Sequence, residues 1–102
     1  KENAPAKLAP ATEGQSDCAE SKKDREAAAA ASEGSDKLFY LRRALRVCPN
    51  SAETHVELGK AYLMMDRASD ASYEFKQALS IDPKSKAAKE SLDELDQGKE
   101  RF

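Results

Sequence analysis

Tryptophan is absent from this 102-residue chain, histidine occurs once and cysteine twice. A single histidine leaves His55 as the only residue able to serve a Ser-His-Asp relay. Two cysteines without Cys-x-x-Cys or Cys/His spacing exclude the usual zinc frameworks. With four glycines there is no phosphate-binding glycine-rich loop. No apolar run approaches the roughly 20 residues that span a bilayer, so direct membrane insertion is not expected. A marked excess of either charge is missing too: 17 Lys and Arg oppose 19 Asp and Glu, net −2. That balance argues against nucleic acid as a partner. The carboxylates lie at spacings of solvated helix faces, such as Glu90 with Glu94. No catalytic, cofactor or metal constellation emerges, and the chain is read as non-enzymatic.

What remains is helix-forming. Charged residues make up 35% and hydrophobic ones 39%, which suits one small, surface-rich helical domain. The chain begins at Lys1 without Met or a signal peptide, so a processed or excised fragment is expected. Residues 1–16 hold two prolines and a single large apolar residue, Leu8. They are read as a flexible Pro/Ala-containing tether. Residues 17–98 read as the helical domain and 99–102 as a tail. Helices are expected at about 18–32, 36–47, 52–65, 69–80 and 85–97. Their N-caps are expected at Asp17, Ser35 or Asp36, Ser51, Ser69 and Ser85, and Pro49 and Pro83 end the second and fourth. No stretch alternates with the period of a strand.

The chain also repeats itself. Shifted by thirty-four residues, ALRVCPNS (44–51) lies on ALSIDPKS (78–85). Ser35-Asp36 then lies on Ser69-Asp70, Phe39 on Tyr73 and Leu41 on Phe75. Residues 52–85 carry His55, Leu58, Gly59, Tyr62, Ala71, Phe75, Ala78 and Pro83 in spaced register. This pattern resembles the tetratricopeptide repeat, with His55 standing where that family usually has Trp or another large residue. The resemblance is strong for 52–85, partial for 35–51 and degenerate for 18–34 and 86–97. It implies an all-α fold: about two antiparallel helix-turn-helix hairpins of an α-solenoid plus a C-terminal solvating helix. Each signature residue has a packing role. Gly59 and Ala71 let two helices approach, Tyr62 and Phe75 fill space, and Pro83 stops a helix.

The resemblance further implies a concave face lined by the first helices of the repeats. Its positions fall on Glu53, Val56, Lys60, Leu63 and Met64, on Lys22, Glu26, Ala29 and Ala30, and on Ala87, Glu90 and Glu94. Leu63 and Met64 either form an adaptable apolar floor or pack against a neighbouring helix. The Lys/Asn/Arg set with which some family members clamp a C-terminal carboxylate is absent. The expected function is therefore protein–protein interaction, a scaffold or assembly module binding a partner's peptide or helix. The alternative is a spacer or oligomerisation domain that self-associates by end stacking.

Cys18 and Cys48 complete the reading. A helical hairpin brings the start of its first helix near the end of its second, which makes feasible the roughly 4.4–6.8 Å between Cα atoms that a disulfide needs. A bridge would staple a first helix that lacks large apolar residues, and would fit an exported, for example periplasmic, protein. The alternative is two free thiols in a cytoplasmic one.

Overall fold

The computed structural model describes residues 10–100, with side chains for residues 18–96. Among the described residues the fold is all-α and repeat-like: α1 (Pro10–Ala30), α2 (Gly34–Val47), α3 (Ala52–Met64), α4 (Ala68–Ile81) and α5 (Lys86–Glu100). Helix α1 packs on α2 and α3 on α4 as two hairpins; α2 joins α3 across them, and α5 closes on α4. Connections of three or four residues leave successive helices no choice but to run as neighbours.

The hairpins match in detail thirty-four residues apart. Helices α2 and α4 have their N-caps at Glu33 and Arg67, and Asp36 and Asp70 then lie in the first turns, where the helix dipole favours acids. They end at Cys48 and Asp82 with nearly the same backbone, φ −136°, ψ 81° and φ −134°, ψ 92°. The cap N–H groups donate to Ala44 and Ala78, both fully buried. Pro49 and Pro83 follow directly and stop both helices.

The core runs through Leu38 and Leu41 of α2, Val56, Leu58, Ala61 and Tyr62 of α3, and Ala71, Phe75 and Ala78 of α4. Phe75 is fully buried, and its ring lies directly over Gly59, where a Cβ would overlap it. The expected close approach is therefore present at Gly59, and Ala71 is fully buried. Tyr62 fills space as expected: Arg42 donates to its hydroxyl (2.8 Å) and the Arg67 guanidinium covers its ring (5.0 Å). That hydrogen bond holds the Arg42 pKa above its ordinary value.

Four boundaries differ from expectation. Helix α1 starts at Pro10, so residues 10–16 of the segment read as a tether are helical, while 1–9 lie outside the described residues. Proline suits a first helical position because its missing N–H would find no partner there. Helices α2 and α4 begin ahead of Ser35 and Ser69, which therefore do not cap them; Glu33 and Arg67 occupy the caps without a side-chain hydrogen bond. At α4 the reason is a tight C-terminal motif on α3. Asp66 takes a left-handed φ of 62°, and Arg67 N–H donates to Tyr62 and Asp66 N–H to Leu63. The chain re-enters helix at once. The tail read at 99–102 is helical as far as Glu100. Ser51 and Ser85 cap as expected, accepting from Thr54 N–H and Ala88 N–H at 3.2 Å.

Candidate functional site: the face shared by α1 and α3

At 3.6 residues per turn, positions 53, 57, 60 and 64 of α3 form one stripe. Opposite, Lys22, Arg25, Glu26 and Ala29 follow one face of α1. Three hollows lie along this seam. The first, about 420 Å³, is lined by Lys22, Glu26 and Glu53 together with Cys18 and Arg25. A second, about 250 Å³, brings Glu53, Val56 and Lys60 against Asp82 and Ala87 at the α5 side. The third, about 220 Å³, has Ala28, Ala29, Leu41 and Ala61 around it, with Lys60 and Met64 at its edge.

The seam is tied across by Arg25. Its Nη2 lies 2.8 Å from Glu53 and its Nε 3.6 Å from Glu57. The second distance is an ion-pair contact rather than a hydrogen bond, and Nε is buried without a hydrogen-bond partner. Such partly exposed pairs fix geometry more than they stabilise. Lys60 has no ion-pair partner among the described residues. Outside the seam, Arg43 grips Asp24 through Nε and Nη2 at 3.1 and 2.8 Å, which raises the Arg43 pKa.

Of the expected groove residues, Lys22, Glu26, Glu53, Val56, Lys60 and Met64 meet on this face. Leu63 does not: it is exposed and lines none of the three hollows. The reason is angular, since position 63 falls about 80° off the stripe through 53, 57, 60 and 64. Ala30, Glu90 and Glu94 are exposed and line none of them either. Arg25 and Glu57 were missed. The i, i+4 step from Glu53 to Glu57 was the available signal; Arg25 was hidden in a degenerate first repeat.

His55 lies between α3 and α4, with Nδ1 2.7 Å from Glu74 Oε1 and both side chains largely buried. It joins the two helices of the second hairpin. Among the described residues no cluster of three His, Cys, Asp or Glu could hold a metal, and no helix is long and apolar enough to cross a membrane.

Cys18 and Cys48 are joined in a disulfide, Cα atoms 4.9 Å apart. Cys18 lies inside α1 rather than at its start, and Cys48 is the buried C-cap of α2. Closing a loop of this separation, 30 residues, is worth about 3–4 kcal/mol in the chain-entropy picture.

No family model, curated protein or solved structure matches the chain. The repeat resemblance therefore rests on the residues and on the geometric echo between the two hairpins.

Proposed function

We propose that this chain is a non-catalytic protein-interaction module, two tetratricopeptide-like hairpins closed by α5, whose α1–α3 face receives a peptide or helix of a partner protein. Met64 carries the reading. It is 57% exposed at the edge of a hollow floored by Ala28, Leu41 and Ala61. A flexible thioether beside small apolar residues adapts to an incoming side chain. Lys60, unpaired among the described residues, adds a cation at the same edge. The Cys18–Cys48 bridge supports an oxidising, exported setting such as the periplasm.

Affinity capture with four chains tests this: the native one, Met64→Lys, Lys60→Glu and Leu63→Asp. The expected outcome is a partner retained by the native chain and by Leu63→Asp, and lost by the other two. Retention by all four would rule out the groove.

A second reading, self-association, draws on Phe39 and Tyr73. They occupy equivalent positions of α2 and α4 and are 56% and 59% exposed. Sedimentation over a wide concentration range addresses it. A mass that rises with concentration, and stops rising in Phe39→Ser/Tyr73→Ser, would favour it.

A further inference from the structure

Helix α1 lies along α2 much as α3 lies along α4, but its described residues bring no large apolar side chain to that contact. Among its described side chains only Ala28 belongs to the apolar core. Ser21, also buried, donates its hydroxyl to the Cys18 carbonyl within the same helix (2.8 Å). The ties to other helices are polar and largely at the surface: Arg25 to Glu53, Asp24 to Arg43, and Lys37 Nζ to the Ala28 carbonyl at 2.9 Å. Helices α2, α3 and α4, by contrast, supply every large residue of the core, and α5 adds Ala88 with Leu92 and Leu95 packed beside it.

The two sulfurs are sheltered unequally. Cys48 is 2% exposed, whereas Cys18 is half-buried and lines the 420 Å³ hollow with Lys22 and Arg25. The same hollow carries Glu26, Glu53 and Glu57 beside those two cations, so access rather than charge makes Cys18 the sulfur that an entering thiol reaches.

We propose that Cys18–Cys48 is a reducible clasp that decides whether α1 is docked. The reductant is a dithiol, small or protein-borne. Its thiolate attacks Cys18 Sγ, the S–S bond breaks, and Cys48 leaves as a thiolate and takes up a proton. The second thiol of the reductant then attacks the mixed disulfide and releases Cys18 as a thiol. Two electrons and two protons pass to the chain, and the reductant ends as a disulfide. Helix α1, now held by Ala28 and surface pairs, swings away from a core that α2–α5 retain. Leu41 and Ala61, which share a hollow with Ala28, become open surface. That this also removes one wall of a partner groove rests on the function proposed above; the clasp itself does not.

Hydrogen exchange read by mass spectrometry, with no partner present, separates the two. The native chain is compared oxidised and after dithiothreitol, with thiol content checked by mass. A Cys18→Ser/Cys48→Ala variant is measured without reductant. Protection of amides 18–30 is expected to fall about a hundredfold or more in the reduced chain and in the variant, from the released loop constraint. Amides of α3 and α4 keep theirs within about threefold, as expected of a separate cooperative unit. Equal protection of α1 after verified reduction overturns the clasp. So does a collapse of protection in α3 and α4 together with α1.

Discussion

Replacing Gly59 by Ala sets two opposing effects of known size against each other. Alanine is the better helix former by about 0.8–1.0 kcal/mol in a helix interior, and Gly59 is interior to α3. Against this, the new Cβ would stand 2.7 Å from Cζ and 2.8 Å from Cδ1 of Phe75, and closer still to Cε1. The ring is fully buried and has no solvent side to move to, so the overpacking cost belongs in the upper part of the usual range of about 1–3 kcal/mol. The balance is a net loss of about 1–2 kcal/mol, a fall in Tm of roughly 5–15 °C for a domain of this size. Thermal unfolding followed by circular dichroism reads it directly. Gly34→Ala is the matched comparison. Its Cβ would meet Met65 Cγ at 2.7 Å, but that side chain is only partly buried at the end of α3 and can swing. Its Tm should change by less than about 5 °C. Combining Gly59→Ala with Phe75→Leu should cost less than the two single changes added together, by about 0.5 kcal/mol or more. A Gly59→Ala chain that melts higher than the native one would show that helix propensity wins, and would refute the close α3–α4 approach.

The capping pattern gives a second expectation. Ser51→Ala removes the acceptor for Thr54 N–H and the partner, at 2.8 Å, of the fully buried Thr54 hydroxyl, so urea unfolding should show a loss of about 1–2 kcal/mol. Ser69→Ala, which removes no cap from α4, should change stability by less than about 0.5 kcal/mol in the same assay. His55→Ala leaves Glu74 without its 2.7 Å donor between two helices, and a destabilisation of about 1–3 kcal/mol is expected by the same measurement. An unchanged midpoint would make that contact a surface ornament.

Periodicity and punctuation made the fold readable. Pro49 and Pro83 follow the last turns of α2 and α4, Ser51 and Ser85 cap where they were expected to, and the thirty-four-residue echo fixes equivalent positions. Such signals are local and survive folding unchanged. Others depend on what a neighbouring element does. Ser69 looks like a cap until Asp66 adopts its left-handed backbone and lets α4 begin at Ala68. Lys60 and Met64 lie on the α1–α3 face, where the repeat resemblance put them. Leu63, put there on the same ground, stands about 80° off the stripe through 53, 57, 60 and 64 and lines none of its hollows. Arg25 is a pairwise effect: nothing in α1 by itself announces that its guanidinium will reach Glu53.

Contact from position 64 is the most direct test of the central claim. A photoreactive benzophenone side chain at position 64, on the α1–α3 face, is compared with one at position 73, on α4 away from it. Both chains are irradiated with the natural partner present. The proposed function predicts a covalent adduct to a partner protein from position 64 and none from position 73. Adducts from position 73 alone, or adducts only between copies of this chain, would contradict it.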